Sequence, residues 1–430
     1  MASSLFRLRG KSAFALRVLC LLLFARLGFG AVPGFAPQQR MGFTYGDQWE
    51  PSIAADSYGH VYILYPQYGS VPDCAKCSVP SMVFQMSHDN GATWQAPRPM
   101  APRSAQFDGQ IVVDPADRQT VYASWLENDK HDVALAKSID FGETWSIEIA
   151  VRTPAEIDRP VLAVRGRDLY LAYGQGRELL VAASHDGGLT FASTSLNPNP
   201  ILGASLAGGG AVDLNGNVYF AWTGFLSAGP KAPVILYVGR SGDGGKTWNN
   251  TLLDISAPPP DCSAQKCGWA FLGAQITMTA DRSGTLYALW NSSRTVNGVE
   301  RIYFASSTNG GATWSQKQEV SGAAAGVEHA FPAIVAGETG DVRIAWMDTR
   351  SHSLWNTYTR SSTNGGATWS AENKLSSAVP GYSYIQPNGF LFPFGDYFAL
   401  SIDGVGQTHA VWGEGKNYES PGSIWYTNGR

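Results

Sequence analysis

Five residues of this sequence are candidates for an active site: two arginines, two acids and a tyrosine. Arg159 and Arg350 each carry a guanidinium group, which can hold a carboxylate through two parallel hydrogen bonds. Asp108 is the candidate acid and base, because a carboxyl group can give up and retake a proton. Tyr397 is the candidate nucleophile, and Glu328 is the candidate acceptor of its phenolic proton. These five side chains can work together only if the fold brings them to one place.

A repeated strand pattern determines where such residues lie. An apolar strand, a turn containing Gly or Asp, and a second strand that ends in an aromatic residue follow one another seven times. The aromatic residues that end the second strands are Tyr65, Trp125, Tyr173, Trp222, Trp290, Trp346 and Trp412. Alternating apolar residues bounded by Gly, Asp and Asn are typical of β-hairpins. The pattern therefore predicts seven hairpins.

A second pattern, Ser-x-Asp-x-Gly-x-Thr-Trp, alternates with the hairpins and recurs six times. The six copies, in two of which Asn replaces Asp and in one of which Phe replaces Trp, are Ser87–Trp94, Ser138–Trp145, Ser184–Phe191, Ser241–Trp248, Ser307–Trp314 and Ser362–Trp369. Each repeat then has four antiparallel strands in about 55 residues, which is the length of a propeller blade. We predict an all-β fold, a single β-propeller of seven four-stranded blades over residues 47–430, with six blades as the alternative.

The seventh repeat is incomplete, because the chain ends at Arg430 before its motif turn would begin. The N-terminal segment 31–46 is the candidate for its missing outer strand, which would close the ring and cover an exposed sheet edge. The motif turns should all lie on one face. Polar residues at strand starts and second-strand ends should lie on the other face, and they include Glu50, Asp108, Gln110, Asp158, Arg159, Gln275, Glu328, His329, Asp396, Tyr397, Tyr68, Glu127, Asp129, Arg177, Asn291, Arg294, Asp348, Arg350 and Glu414.

The repeated motif resembles the Asp box, also called the BNR repeat, of sialidases and related propellers. In that family the boxes are structural turns on the face away from the active site, so they predict the fold and not the chemistry. Sialidases bind a sugar carboxylate with arginines and use a Tyr nucleophile, a neighbouring Glu and an Asp acid/base. The Arg-Ile-Pro sequence expected near the first strand is absent, and Trp49-Glu50-Pro51 stands there.

Two functions follow from this resemblance. The first is a secreted, sialidase-like (exo-α-sialidase or neuraminidase type) glycoside hydrolase that acts on glycans with acidic terminal sugars. The alternative is a non-catalytic Asp-box propeller that binds protein or glycan. Neither implies a cofactor or a metal, and no phosphate-binding loop or metal-ligand His pair occurs in the sequence. Several arginines converging on one pocket would favour the enzyme.

The first 30 residues have the features of a secretory signal peptide. Positive charges precede a short apolar run, Val18–Ala25, and the small residues Gly28 and Gly30 follow it. The run is too short to span a bilayer, and no transmembrane segment is expected elsewhere. We therefore expect a secreted or periplasmic protein. The formal net charge of −4 argues against a nucleic-acid partner, and we expect a monomer.

Four cysteines remain after the signal peptide, as the pairs Cys74/Cys77 and Cys262/Cys267. An even number in an exported chain favours disulfides, and short separations favour pairing within each pair. A zinc site built from four thiolates and a redox-active Cys-x-x-Cys are the alternatives.

Overall fold

The computed structural model describes residues 34–200, 203–226, 232–259, 273–377, 385–386, 389–393, 395–416 and 421–430. The described residues form strands, turns and loops. No described segment forms a helix with the length and apolar character that crossing a membrane requires. The predicted signal peptide lies outside the described residues.

Thirty-two strands account for the regular structure of the described chain. The first sixteen, in chain order, are β1 (Gln39–Arg40), β2 (Asp47–Gln48), β3 (Ser52–Ala55), β4 (Val61–Tyr68), β5 (Ser81–Ser87), β6 (Arg98–Pro99), β7 (Phe107–Val113), β8 (Val121–Glu127), β9 (Asp132–Ser138), β10 (Ser146–Arg152), β11 (Asp158–Arg165), β12 (Asp168–Gln175), β13 (Glu178–Ser184), β14 (Ala192–Ser195), β15 (Ala204–Val212) and β16 (Val218–Phe225). The other sixteen are β17 (Val234–Ser241), β18 (Asn249–Ser256), β19 (Ile276–Ala280), β20 (Leu286–Ser292), β21 (Arg301–Ser307), β22 (Gln318–Glu319), β23 (His329–Ala336), β24 (Val342–Ser351), β25 (Leu354–Ser362), β26 (Asn373–Lys374), β27 (Ile385–Gln386), β28 (Gly389–Phe390), β29 (Phe392–Pro393), β30 (Ala399–Ile402), β31 (Thr408–Gly415) and β32 (Ser423–Gly429).

The strands form seven antiparallel sheets, each built around four strands, and these are the seven blades. Blades 1 to 6 begin with β3, β7, β11, β15, β19 and β23, and each runs through the next three strands in chain order. Blade 7 consists of β30, β31, β32 and β1. The short strands β2, β27, β28 and β29 extend blades 1, 6 and 7. The seven-bladed prediction is confirmed, and the six-bladed alternative is wrong.

Both ends of the described chain build blade 7. Strand β1 pairs with β32, with Gln39 opposite Tyr426, and supplies the fourth strand. Beside this strand, Gln38 Nε2 donates a hydrogen bond to Glu414 Oε1 at 3.0 Å. The motif residue Trp94 of blade 1 packs edge-on against Tyr426, with ring centroids 4.8 Å apart. Strand β1 thus completes blade 7, and the ring contact packs blade 1 against it.

The core lies between neighbouring blades, because each sheet buries side chains on both faces. One cluster joins Tyr170 of blade 3 to Phe220 and Trp222 of blade 4. The second strands carry the largest buried rings, and Trp125 and Trp346 have no exposed surface. Burying such a side chain contributes roughly 1.5–3 kcal/mol or more through the hydrophobic effect. The blades are therefore stable only when packed together.

The motif turns are self-contained hydrogen-bonded units. In blade 2, Ser138 Oγ donates to Asp140 Oδ1 at 2.7 Å and accepts from the Gly142 N–H at 2.8 Å. Asp140 accepts from the Thr144 hydroxyl at 2.6 Å and from the Thr144 N–H at 3.0 Å. These hydrogen bonds, led by the Thr144 hydroxyl, lower the pKa of Asp140 to about 2. The motif carboxylate is therefore engaged in hydrogen bonds within its own turn.

A second hydrogen-bonded turn joins the first two strands of several blades. In blade 5, Asp281 Oδ1 accepts from the Ser283 N–H at 2.9 Å and the Thr285 N–H at 3.0 Å. Asp281 Oδ2 accepts from the Tyr287 hydroxyl at 2.7 Å and from the Gly340 N–H of blade 6 at 2.9 Å. Asp56 and Asp213 bind their own turns and tyrosines in the same way, so this aspartate is a second repeated element that links strands within a blade.

The predicted disulfide between Cys74 and Cys77 is present in the loop between β4 and β5. Sulfurs joined in a disulfide are not thiolate ligands, so Cys74 and Cys77 do not form the alternative zinc site in this state. The second predicted pair, Cys262 and Cys267, lies outside the described residues.

Candidate active site

The first strands of the blades begin at the end of the propeller opposite the motif turns, which we call the entrance face. Four of these beginnings hold a non-glycine residue in the left-handed region: Glu50 (φ 50°), Asp108 (φ 54°), Arg159 (φ 47°) and Phe331 (φ 55°). In blades 2, 3 and 6 the strand pairing shifts at this residue, which is a β-bulge. Such backbone costs roughly 1–3 kcal/mol per residue, and bulges redirect side chains. Left-handed backbone in four blades therefore makes this face the candidate functional site.

Four carboxyl groups from blades 1, 2, 3 and 7 meet in two hydrogen-bonded pairs. Burial, followed by the charge of Asp396 and a hydrogen bond to it, raises the pKa of Glu50 well above its usual value. Burial, followed by the charge of Asp158 and a hydrogen bond to it, raises the pKa of Asp108 to about 7. Carboxyl groups this close cannot all be ionised, so each pair holds a proton near neutral pH.

Tyr397 lies among these carboxyl groups. Burial raises the pKa of its phenol, and the charges of Glu50, Asp108 and Asp396 raise it further. The Tyr397 hydroxyl, Asp108 Oδ2 and Asp396 Oδ1 are buried and have no hydrogen-bond partner among the described residues. Three unpartnered polar atoms in one site are what a bound ligand would satisfy.

Two cations accompany the acids. The Arg159 guanidinium carbon lies 4.9 Å from the centre of the Tyr397 ring, and no described side chain accepts a hydrogen bond from this guanidinium. Lys130 Nζ lies 3.8 Å from Asp158 Oδ1. Burial acts against the charge of Lys130, but the carboxylates of Asp108 and Asp158 outweigh it and raise the Lys130 pKa.

Aromatic rings line one side of the site. Trp49 and Tyr68 meet edge to face with centroids 4.7 Å apart, and Phe107 lies 6.5 Å from Tyr68. All three are partly exposed. Trp49 and Phe107 directly precede Glu50 and Asp108, so each ring and its neighbouring acid are held by the same strand beginning. Aromatic faces beside hydrogen-bonding groups suit the apolar faces and hydroxyls of a sugar.

A narrow cavity of about 190 Å³ continues from Arg159 and Tyr397 along the propeller axis. Its wall in blade 4 is the glycine run 208–210. A Cβ atom at Gly208 would lie 1.7 Å from the Ile276 carbonyl oxygen, so the close approach of these two first strands requires glycine. The axis is therefore tightly packed beneath the carboxyl pairs.

Glu328 occupies a separate cluster between blades 5 and 6. Its Oε1 accepts from the Glu300 N–H at 2.8 Å, and its N–H donates to Thr349 Oγ1 at 3.0 Å. Burial raises the pKa of Glu328 to about 7. Glu300 is fully buried, and burial followed by the charge of Glu328 raises its pKa as well. No described contact joins Glu328 to Tyr397.

Arg350 is held within blade 6. Its guanidinium pairs with Asp348 at 2.6 Å and with Glu372, and its carbon lies 4.1 Å from the Tyr358 ring centre. Glu372 directly precedes the outermost strand β26, so the side chain extends towards the rim. The structure thus brings Asp108, Arg159 and Tyr397 together and places Glu328 and Arg350 elsewhere.

Glu50, Asp158, Asp396 and Lys130 join the site without having been assigned a role from sequence. The signal was present at three of them: an acid stands at the beginning of a first strand, within two residues of Pro or Gly, in Trp49-Glu50-Pro51, Asp158-Arg159-Pro160 and Gly395-Asp396-Tyr397. Lys130 lies in the loop after β8 and carries no comparable signal. Among the described side chains, no group of three or more His, Cys, Asp and Glu is placed to hold a metal ion.

Comparison with known proteins shows the fold. No protein-family model and no curated protein matches this chain. A solved ulvan lyase, from a new family of polysaccharide lyases, superposes with a TM-score of 0.54 at 11% identity, covering 90% of this chain and 95% of that chain. A protein of unknown function from Dyadobacter fermentans superposes with a TM-score of 0.51 at 13% identity, covering 92% and 99%.

A Hadza microbial sialidase covers 89% of this chain and 66% of its own at 14% identity, with a TM-score of 0.45, which is too low to support an argument. At these identities the comparisons show that the chain shares its fold with the ulvan lyase and the Dyadobacter fermentans protein, and they show nothing finer.

Proposed function

We propose that this protein is a glycoside hydrolase whose active site is the carboxyl cluster of the entrance face. The observation that carries the proposal is the Tyr397 hydroxyl, buried without a described partner among two proton-sharing carboxyl pairs. A phenol surrounded by groups that can take its proton is suited to nucleophilic attack. The aromatic rings beside the carboxyl pairs favour a sugar as the substrate.

The mechanism follows from the proton positions. Asp108, protonated near neutral pH, donates its proton to the glycosidic oxygen as the bond to the leaving group breaks. The Tyr397 oxygen forms a bond to the anomeric carbon, and its proton passes to the Glu50–Asp396 pair. In the second step the Asp108 carboxylate takes a proton from water, whose oxygen bonds to the anomeric carbon. The phenolate leaves and regains its proton from the pair, so two displacements retain the anomeric configuration.

The proposal moves the proton-acceptor role from Glu328 to the Glu50–Asp396 pair. Glu328 has no described contact with the phenol. The charge of Glu50, by contrast, raises the pKa of Tyr397 more than any other neighbouring charge does. Asp396 Oδ1 has no described partner and can receive the proton.

An acidic sugar is compatible with this site despite its four carboxyl groups. With one proton on each pair, the two pairs carry two negative charges, and Arg159 and Lys130 carry two positive charges. The site is then close to neutral, and Arg159 has no described acceptor that competes with a substrate carboxylate. We propose that Arg159 binds the acidic group. The site then uses a single arginine for this purpose, whereas a sialidase uses several.

The first experiment tests the nucleophile. The wild type and Tyr397→Phe are assayed with a fluorogenic sialoside and a panel of neutral fluorogenic glycosides. We expect turnover of at least one substrate and a loss of at least about a hundredfold in kcat for the variant. Tyr58→Phe is the matched control, because Tyr58 is 59% exposed on the motif face. Equal kcat in Tyr397→Phe and the wild type would exclude the proposed nucleophile.

The aromatic rings also favour the non-catalytic alternative, in which the same face binds a glycan without cleaving it. Glycan-array binding by a wild type that cleaves no glycoside would support this second function. A third outcome is cleavage by elimination. Product analysis with a polymeric uronate detects it, because elimination leaves a carbon–carbon double bond in the product and hydrolysis does not. A double bond in the product would replace hydrolysis by elimination at the same residues.

A further inference from the structure

The opposite end of the propeller axis holds a second cavity, unrelated to the carboxyl pairs. The turns between the first and second strands surround an opening of about 520 Å³ on the motif face. Arginines from three different blades line it: Arg118 of blade 2, Arg165 of blade 3 and Arg282 of blade 5. Guanidinium groups that converge from separate blades on one opening are a common means of binding an oxyanion.

The acidic residues of this opening are already engaged. Asp56, Asp114, Asp281 and Asp403 are at most 6% exposed. Asp403 Oδ1 accepts from the Val405 and Gln407 N–H groups and its Oδ2 contacts His409, as the other turn aspartates bind their own turns. Their oxygens are directed into the fold, whereas Arg118 and Arg282 are exposed to solvent. The side chains that a ligand would meet are therefore mainly the arginines.

The arginines retain donors for a ligand. No described acceptor binds the guanidinium of Arg118. Arg165 uses only Nε, which donates to the Val212 carbonyl at 3.0 Å. Arg282 pairs with Glu338 through one terminal nitrogen. Each of these three blades thus presents guanidinium N–H groups that donate to no described residue.

Arg118 and Arg282 are also close enough to repel each other across the axis. Partial burial lowers the pKa of Arg282, and the charge of Arg118 lowers it further. Two like charges on opposite sides of an opening are unfavourable unless an anion lies between them. Geometry, free donors and like charge all point to the same kind of ligand.

We propose that Arg118, Arg165 and Arg282 form a binding site for a tetrahedral oxyanion, sulfate or phosphate, either free or as an ester on a glycan. The site lies at the motif-face end of the axis and is independent of the proposed catalysis. It would let the propeller hold a sulfated or phosphorylated chain on the face opposite the active site.

The test measures binding and stability together. Wild type, Arg118→Gln and Arg118→Gln/Arg282→Gln are titrated with sodium sulfate, sodium phosphate and a sulfated oligosaccharide at constant ionic strength set with sodium chloride. We expect each arginine removed to weaken anion binding about tenfold. Gln, like Arg, carries a Cβ atom, so the left-handed backbone at Arg118 (φ 58°) is about equally strained in the variant. Arg152→Gln is the control, because Arg152 is 72% exposed on an outer strand.

A second readout separates the site from a folding defect. Without anion, Arg118→Gln should melt at the same temperature as the wild type or higher, because it removes the repulsion from Arg282. With sulfate, the wild type should gain more in melting temperature than the variant. Tighter binding of the sulfated oligosaccharide than of inorganic sulfate would identify a glycan ester as the source, and the reverse would identify the free ion. Equal anion affinity in the wild type and both arginine variants, or equal stabilisation by chloride, would overturn the proposal.

Discussion

Asp108 links the backbone of one bulge to the pH dependence of the proposed reaction. Its pKa of about 7 arises from burial first and from Asp158 second. A general acid works in its protonated form, so activity should be constant below about pH 6 and fall about tenfold per pH unit above the pKa. The pH dependence of kcat/KM measures this limb.

Asp108→Asn can neither donate nor retake the proton, and it should lower kcat about 10²–10⁴-fold and remove the limb. Asp117→Asn is the control, because Asp117 lies on the motif face and binds Thr120. A wild-type limb that survives in Asp108→Asn would assign the acid to another group.

Other acids of the entrance face are explained by a neighbouring indole. Trp125 Nε1 donates to Glu127, Trp346 Nε1 to Asp348, and Trp412 Nε1 to Glu414, each two residues further on. Residues i and i+2 of a strand lie on the same side, which brings the carboxylate to the indole. Three acids that could be counted as site residues from sequence are therefore acceptors for buried tryptophans.

At the scale of the element, the motif turn depends on its serine. Ser138 is 1% exposed, and Ser138→Ala leaves the buried Gly142 N–H without its acceptor. We expect the free energy of unfolding to fall by about 1–3 kcal/mol, with activity unchanged at temperatures where the protein is folded. Chemical denaturation measures the change.

Ser146→Ala is the matched control in the same blade, since the Ser146 hydroxyl is exposed and makes one long hydrogen bond of 3.3 Å to the Lys137 carbonyl. We expect a change within about 0.5 kcal/mol there. Equal destabilisation by both substitutions would show that the motif serine has no special role.

For the whole molecule, buried acids should make folding more stable in mild acid. The pKa values of Asp108 and Glu328 are raised to about 7 and that of Glu414 to about 8, all chiefly by burial. The folded protein then keeps protons that the unfolded chain has released. Stability is fully present below the unfolded pKa of about 4.5 and is lost as pH rises through 7 to 8.

Two groups act in the opposite direction. Burial lowers the pKa of His329 to about 4, and hydrogen bonds lower that of Asp140 to about 2. The stability that each group contributes to the folded protein is therefore lost as the pH falls. We expect the melting temperature to peak near pH 5 and to decline towards pH 8. Glu414→Gln should flatten the decline, whereas Glu148→Gln, on an outer strand, should not. A melting temperature that rises from pH 5 to pH 8 would contradict this account.

Local sequence patterns are sufficient to predict the architecture of this protein. Seven hairpins and six motif turns specify seven blades, because strand periodicity and turn chemistry are local properties of the chain. The disulfide Cys74–Cys77 follows from short separation in the same way. The face that carries Asp108, Arg159 and Tyr397 also follows, since alternating strand direction places strand starts at one end.

Which residues of that face meet depends on contacts between blades and cannot be predicted from the sequence patterns. Glu50, Asp108 and Asp396 come from three blades, the first two stand in left-handed backbone, and the charges of Asp396 and Asp108 act on Glu50. Arg350 does not lie in the site, because Asp348, two residues away, and Glu372 bind its guanidinium within blade 6. Contacts between blades depend on side-chain direction and on competing local partners, and neither is encoded in the spacing of residues along one strand.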